Sequence, residues 1–337
     1  MERPLFVAEI SANHLGRFDR AEELVRAAAS AGATHVKLQT YTADTMTLPL
    51  RTKEFSVSED HELWGGKSLH DLYLEAHTPW EWHKPLFELA RELGMIPFSS
   101  PFDNTAVDFL ESLDIEIYKI ASLESSDLQL IHEVSSTGKP TIISTGATEL
   151  YELDAAVSCF LSTGNKMLTL LVCTSSYPAQ ATDANLDRLS FLKNRYGLAV
   201  GVSDHTLGIG VSIAAIAKGA SIIEKHLTLS RAEGGLDSAF SLEPAEFSKL
   251  VNEGINAWES IGLPDWKLAP SEKESRRLRR SLYIVRNVRK GETISLDNIR
   301  SIRPGNGLSP LKLNEILGKT FTEDLETGTP MKMEYCK

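Results

Sequence analysis

Two histidines have the type and spacing to share a reaction. His205 stands in Val-Ser-Asp-His-Thr (202–206) and His226 in Ile-Glu-Lys-His-Leu (223–227). Each follows a short apolar run that reads as a buried strand, residues 198–202 and 221–223, with a helical stretch at 208–219 between them. If the two strands are parallel neighbours, both imidazoles emerge at one sheet edge. Neutral imidazole is the commonest side-chain ligand for a transition metal. A pair at one site predicts a divalent metal with open positions for substrate. Either histidine alone would read as an ordinary hydrogen-bonded ring; matching strand ends favour the metal.

The other apolar runs end in polar residues too. The first gives Glu9, then Asn13 and His14; the second gives Lys37 and Gln39. Later ones give Ser99 and Ser100, then Lys119, Ser122 and Glu124, then Ser144-Thr145-Gly146, then Thr174, Ser175 and Tyr177. The last two add Ser203, Asp204 and Lys225, and Asp237 follows in the final loop. Lysines, hydroxyls and loop amides together suit a phosphate beside a carboxylate. Lys225 is the weakest of the lysines, because strand alternation turns it away from His226. A small substrate with both anionic groups, next to a metal that polarises a carbonyl, points to phosphoenolpyruvate chemistry.

These residues need a frame that brings many strand ends together. Strand-like runs begin near residues 5, 35, 96, 115, 140, 168, 198 and 221. Helical periodicity follows each, at 21–31, 82–93, 105–113, 128–135, 150–161, 186–195, 209–217 and 244–258. Gly32, Gly94, Gly138, Gly164, Gly197 and Gly219 stand where helices should stop. Eight such units predict a (β/α)8 TIM barrel, with chemistry at the C-terminal ends of its strands. An open doubly wound sheet is the alternative, but no Gly-rich dinucleotide fingerprint follows the first strand. Residues 41–79 make an unusually long connection. It holds Trp64 and Tyr73, with Trp80 and Trp82 just beyond. These aromatics either wall a pocket or pin the loop to the barrel.

The expected domains are a barrel over 1–262, a polar linker over 263–280 and a small β-rich module over 281–337. The module is near the lower size limit for independent stability. The chain has 337 residues, 42% hydrophobic and 24% charged, with net charge −11. That acidity argues against nonspecific nucleic-acid binding. The basic run Arg276-Arg277-Leu278-Arg279-Arg280 reads as a solvated linker helix. Three cysteines do not make a disulfide framework, and Cys159 and Cys173 read as buried thiols. No apolar run reaches membrane-spanning length, and no leader-like segment opens the sequence; a cytoplasmic protein is expected.

Several stretches together are highly specific: Ala-Glu-Ile-Ser-Ala-Asn-His (8–14), Lys-Leu-Gln-Thr (37–40), Ser-Ser-Pro-Phe-Asp (99–103), Tyr-Lys-Ile-Ala-Ser (118–122), Cys-Thr-Ser-Ser-Tyr-Pro (173–178), Ser-Asp-His-Thr (203–206) and Glu-Lys-His-Leu-Thr (224–228). The chain closely resembles the sialic acid synthase family over nearly its whole length. Arg-Pro-Gly-Asn-Gly (303–307) resembles that family's C-terminal antifreeze-like, or SAF, domain. Within the family, residues 63–73 and 78–82 are most similar to members that form pseudaminic acid.

The resemblance implies condensation of phosphoenolpyruvate with 2,4-diacetamido-2,4,6-trideoxy-L-altrose. The alternative is an N-acetylmannosamine-type sugar, as in N-acetylneuraminate or legionaminate synthesis. It further implies that His205 and His226 hold Mn2+, or else Mg2+ or Co2+. Lys37, Lys119, Ser122, Ser144, Ser175 and Ser203 would hold phosphoenolpyruvate. Family members often carry Asn where Ser175 stands. Glu9 would manage the water or hydroxyl proton, and Gln39, Glu124, Tyr177 and Asp237 would touch the sugar. Arg303 would reach the neighbouring subunit's barrel in a domain-swapped homodimer. Two rival readings remain: a Schiff-base aldolase using Lys119, and a sugar-binding protein without catalysis.

Overall fold

A computed structural model describes residues 2–59 and 64–337. Leu63, the first residue of the stretch similar to pseudaminic-acid-forming enzymes, lies outside them. Eight strands close a parallel barrel in sequence order: β1 (Leu5–Glu9), β2 (His35–Thr40), β3 (Ile96–Pro101), β4 (Tyr118–Ile120), β5 (Thr141–Ser144), β6 (Leu168–Cys173), β7 (Ala199–Ser203) and β8 (Ile222–His226). Pairing of β1 with β8, from Leu5 against Ile222 to Glu9 against His226, closes the ring. The open-sheet alternative is thereby excluded. Helices α1 (Phe18–Ser30), α2 (Ala43–Met46), α3 (Leu69–Ala76), α4 (Trp80–Glu92), α5 (Asn104–Ser112), α6 (Leu128–Ser136), α7 (Leu150–Ser162), α8 (Arg188–Tyr196), α9 (Gly210–Ala217) and α10 (Pro244–Ser260) accompany the strands. The six predicted helix-stop glycines all adopt positive φ, from 69° at Gly197 to 94° at Gly219.

Two apolar layers hold this unit. The larger packs strand residues such as Phe6, Val36, Leu170 and Ile223 against helix residues such as Leu24, Leu86, Phe160 and Leu250. The smaller fills the barrel interior near the strand starts: Val7, Phe98, Ile142, Leu171 and Ile222. Two residues further along the same strands stand Glu9, Ser100, Ser144, Cys173 and Glu224. Because side chains alternate with period two, these share the inward face. The interior therefore changes from apolar to polar toward the C-terminal mouth.

The 41–79 connection is not bare loop. It contains α2, α3 and a 3-10 turn at Lys53–Phe55. Ser68 starts α3 by accepting the Asp71 amide at 3.1 Å. Its aromatics divide between the two roles. Trp80 stacks on Phe109 at 4.6 Å and donates to the Tyr41 carbonyl at 3.2 Å, and Trp82 packs edge-on against His14 and Phe18, so these fix α4 and the first residue of the connection. Trp64 and Tyr73 line a cavity.

Residues Leu263–Lys337 form a second compact unit. It holds the short α11 (Lys273–Arg277), the antiparallel pair β9 (Ser281–Ile284) and β10 (Ile299–Ile302), and α12 (Leu313–Ile316). Isolated bridges such as Val288 with Leu325 supply much of its β character, so it has less regular strand than its composition suggests. Its own core includes Leu282, Ile284, Ile299, Phe321 and Met331. Cys173 is buried as expected, but Cys159 is only partly buried. It sits on the flank of α7, where its thiol donates to the Leu128 carbonyl at 3.3 Å.

Candidate active site

The barrel's polar mouth is organised around a carboxylate not singled out as a site residue from the sequence. Glu224, on β8, is 3% exposed and accepts the Lys37 ammonium at 2.7 Å. Lys119 lies at 3.9 Å from the same oxygen, and the Ser203 hydroxyl donates to it at 3.2 Å. Lys37 also meets Glu9 at 2.9 Å. The other Glu9 oxygen accepts the Ser11 amide at 2.7 Å. Four ionisable groups from β1, β2, β4 and β8 are thus buried together. Strand alternation carried the signal: Glu224 shares its face with His226.

Burial and charge compete in this cluster. Burial pushes the Glu224 carboxyl up, but Lys119 and Lys37 outweigh it and hold it at about 2. For Lys37, burial is outweighed by Glu224 and Glu9, and the ammonium is held firmly charged. For Lys119 burial wins, and its pKa falls to about 8.

Hydroxyls gather beside the lysines. The Gly146 amide donates to Ser122 Oγ at 3.0 Å. A Cβ on Gly146 would stand 2.3 Å from Ser175 Oγ and 2.9 Å from Ser122 Oγ. The hydroxyls of Ser144 and Ser175 have no protein partner despite burial. Unpaired buried hydroxyls beside two lysines form a cradle ready for anionic oxygens.

The histidines come together as the strand argument expects. Their ring centroids are 5.3 Å apart, and Phe240 packs against both. His205 Nδ1 lies 3.0 Å from the Thr174 carbonyl; donating there leaves Nε2 as the free electron pair. His226 Nδ1 has no hydrogen bond although buried, and Asp237 approaches it at 3.3 Å. Two imidazoles with free nitrogens fit a divalent cation. Among the described residues no group of three or more His, Cys, Asp or Glu converges as a ligand set, so further positions would be left to substrate or water.

A cavity of about 430 Å³ opens beside this centre. Gln39, Ser122, Glu124, Tyr177, His226 and Asp237 all line it. Burial raises the Glu124 pKa to about 7. Burial also raises the Tyr177 phenol. Arg303 is exposed in the second unit, just past β10. Lys225 is turned out of the barrel, as alternation requires, and pairs with Asp204 at 3.0 Å. Asn13 ties loops together, donating to the Leu227 carbonyl and Ser241 hydroxyl, both at 2.9 Å. A second cavity, of about 420 Å³, lies where the strands begin and is lined chiefly by apolar residues such as Val7, Leu168 and Ile222. It is at the end of the barrel away from the reactive side chains.

Residues 24–265 match the NeuB family and residues 279–334 match the SAF domain. A pseudaminic acid synthase of Helicobacter pylori is 40% identical over 335 residues, covering 99% of this chain and 98% of that protein. A pseudaminic acid synthase of Campylobacter jejuni is 39% identical over 333 residues, covering 98% and 96%. The crystal structure of N-acetylneuraminic acid synthetase from Leptospira borgpetersenii, in complex with citrate, superimposes with a TM-score of 0.72 at 31% identity, covering 81% of this chain and 90% of that one.

Proposed function

The chain belongs to the NeuB family, and we propose that it condenses phosphoenolpyruvate with 2,4-diacetamido-2,4,6-trideoxy-L-altrose and water to give pseudaminic acid and phosphate. The observation that carries the reading is the anion cradle of Lys37, Lys119 and unpaired serine hydroxyls, set at the same mouth of the barrel as the paired histidines. Identity of 39–40% over nearly the whole chain to two pseudaminic acid synthases, against 34–36% to two legionaminic acid synthases, favours this sugar.

In this reading Lys37 and Lys119 hold the two anionic groups of phosphoenolpyruvate, and Ser122, Ser144, Ser175 and Ser203 supply hydrogen bonds. Glu224 and Glu9 keep the lysine stems aimed before substrate arrives. The open-chain sugar enters the 430 Å³ cavity, where Gln39, Glu124, Tyr177 and Asp237 orient it. His205 and His226 would hold a divalent cation, manganese in our reading, which would supply Lewis-acid activation of the aldehyde carbonyl. The methylene carbon of phosphoenolpyruvate donates its C=C π pair to the new C–C bond, and the aldehyde C=O π pair passes to oxygen, which is protonated to a hydroxyl. Water then adds to the resulting cationic carbon, with Glu9 as the carboxylate that takes its proton. Phosphate leaves with its bridging oxygen, and the keto acid closes to the ring product. The enzyme works as a homodimer, and the partner's Arg303 completes the sugar site.

The test is phosphate release from phosphoenolpyruvate with the diacetamido sugar or N-acetylmannosamine, with EDTA and with Mn2+ restored. Release should require the diacetamido sugar and metal. Phosphoenolpyruvate labelled in its bridging oxygen should deliver the label to phosphate; label in the sugar acid overturns the order of steps. Borohydride trapping of a pyruvate adduct on Lys119, with activity surviving EDTA, would establish the aldolase instead.

A further inference from the structure

The cavity lining is of two chemical kinds. Gln39, Glu124, His226 and Asp237 are among its polar residues. Its apolar wall includes five residues from the segment between β2 and α4: Met46 of α2, Val57, and Leu69, Leu72 and Ala76 of α3. Met46, Val57, Leu69 and Ala76 are half-buried, so they present apolar surface to the cavity. Tyr73 packs edge-on against Tyr41 at 5.8 Å, which anchors α3 to the barrel. Such a surface beside a polar reaction centre gains stability only when apolar atoms cover it.

We propose that this wall is a methyl-recognition subsite, which selects 6-deoxy acylamino sugars by taking the C6 methyl and the methyl of the 4-acetamido group. The inference rests on the synthase reading for the direction of the sugar. Its aldehyde carbon must lie at the histidines, so C4 to C6 extend away from them. A fully hydroxylated hexose chain would press its 6-hydroxyl on Met46, Val57 and Leu69, and that hydroxyl would lose its water without a new partner. A 6-deoxy chain presents a methyl group there and loses nothing. The wall thus discriminates at the end of the sugar remote from the bond-forming carbon.

The experiment measures kcat/KM for 2,4-diacetamido-2,4,6-trideoxy-L-altrose and for its 6-hydroxy counterpart. It also measures, with phosphoenolpyruvate and Mn2+ present, calorimetric binding of the two alditols made by reducing C1, which cannot react. The full-length protein is compared with Val57→Thr, Met46→Gln and Leu69→Asn. The wild type should prefer the 6-deoxy compound by about 10-fold to 100-fold in both measurements. Val57→Thr keeps side-chain shape and should cut that preference several-fold, with KM for phosphoenolpyruvate unchanged. Met46→Gln and Leu69→Asn should act in the same direction, so misfolding of one variant does not remove the test. Equal use of the two sugars, or a preference unchanged in every folded variant, overturns the subsite. If the 6-deoxy alditol binds more tightly but phosphoenolpyruvate releases no phosphate with any sugar, the subsite stands and the synthase reading falls.

Discussion

At the level of single residues, Glu224 and Gly146 set what the anion cradle can do. Lys119, with its pKa lowered to about 8, is the titrating member. Burial lowers it, Glu224 opposes that, Lys37 adds to it, and Cys173 and Glu9 also face it. An arriving anion favours the charged ammonium, so binding of phosphoenolpyruvate is strong below pH 8 and weakens above. KM for phosphoenolpyruvate should rise roughly tenfold per pH unit above that midpoint. Replacing Glu224 by Gln removes the main group that keeps Lys119 charged. The midpoint should move below 8, while KM for the sugar stays constant; a pH profile identical to wild type would show that Glu224 does not act on Lys119. Gly146→Ala tests the cradle sterically. Its Cβ would lie 2.3 Å from Ser175 Oγ, a contact that only movement of the hydroxyl can relieve. Phosphoenolpyruvate binding by calorimetry should fall by about 10-fold or more, with an unchanged circular dichroism spectrum.

The same cluster shows why part of the site was hard to read at the level of elements. The last barrel strand looks finished at Ile223, because charged Glu224 and Lys225 break its apolar run. It continues to His226, since each charge is buried against an opposite one: Glu224 inside the barrel and Lys225 outside it on Asp204. Hydropathy registers neither partner. Strand starts and helix stops were legible because Gly and apolar periodicity are local signals, as at Gly197 and Leu168. The turns of α2 and α3 were not, because α2 has only four residues and gives no period. For α3 the available cue was Ser68 as N-cap, ahead of Leu69 and Leu72. Helix packing onto the barrel is testable at Gly254 in α10. A Cβ there would meet Phe6 at 2.7 Å and Ile216 at 2.8 Å. Gly254→Ala should therefore destabilise despite the better helix propensity of Ala, by about 1–3 kcal/mol. Calorimetry should show a Tm lower by roughly 2–10 °C; an unchanged or raised Tm would mean that the contact relaxes freely.

For the whole molecule, two units with separate cores pose a question of supply. The groups assigned to phosphoenolpyruvate and the histidines all belong to the first unit, whereas Arg303 belongs to the second. If the partner's Arg303 completes each sugar site, defects in the two units should complement one another across a dimer. Arg303→Ala spoils the arginine and leaves its own barrel whole. His226→Ala spoils the barrel and leaves its own arginine whole. Each homodimer should be nearly inactive. Co-expression with two different affinity tags isolates the heterodimer, in which the sound barrel receives the partner's Arg303. Since one of its two sites is then intact, it should recover about half the wild-type activity per dimer. If each arginine serves its own barrel, no subunit of the heterodimer holds both sound parts, and activity stays at the parental level. If two-tag purification returns no heterodimer at all, the homodimer itself is excluded, and Arg303 must act within one chain or not at all.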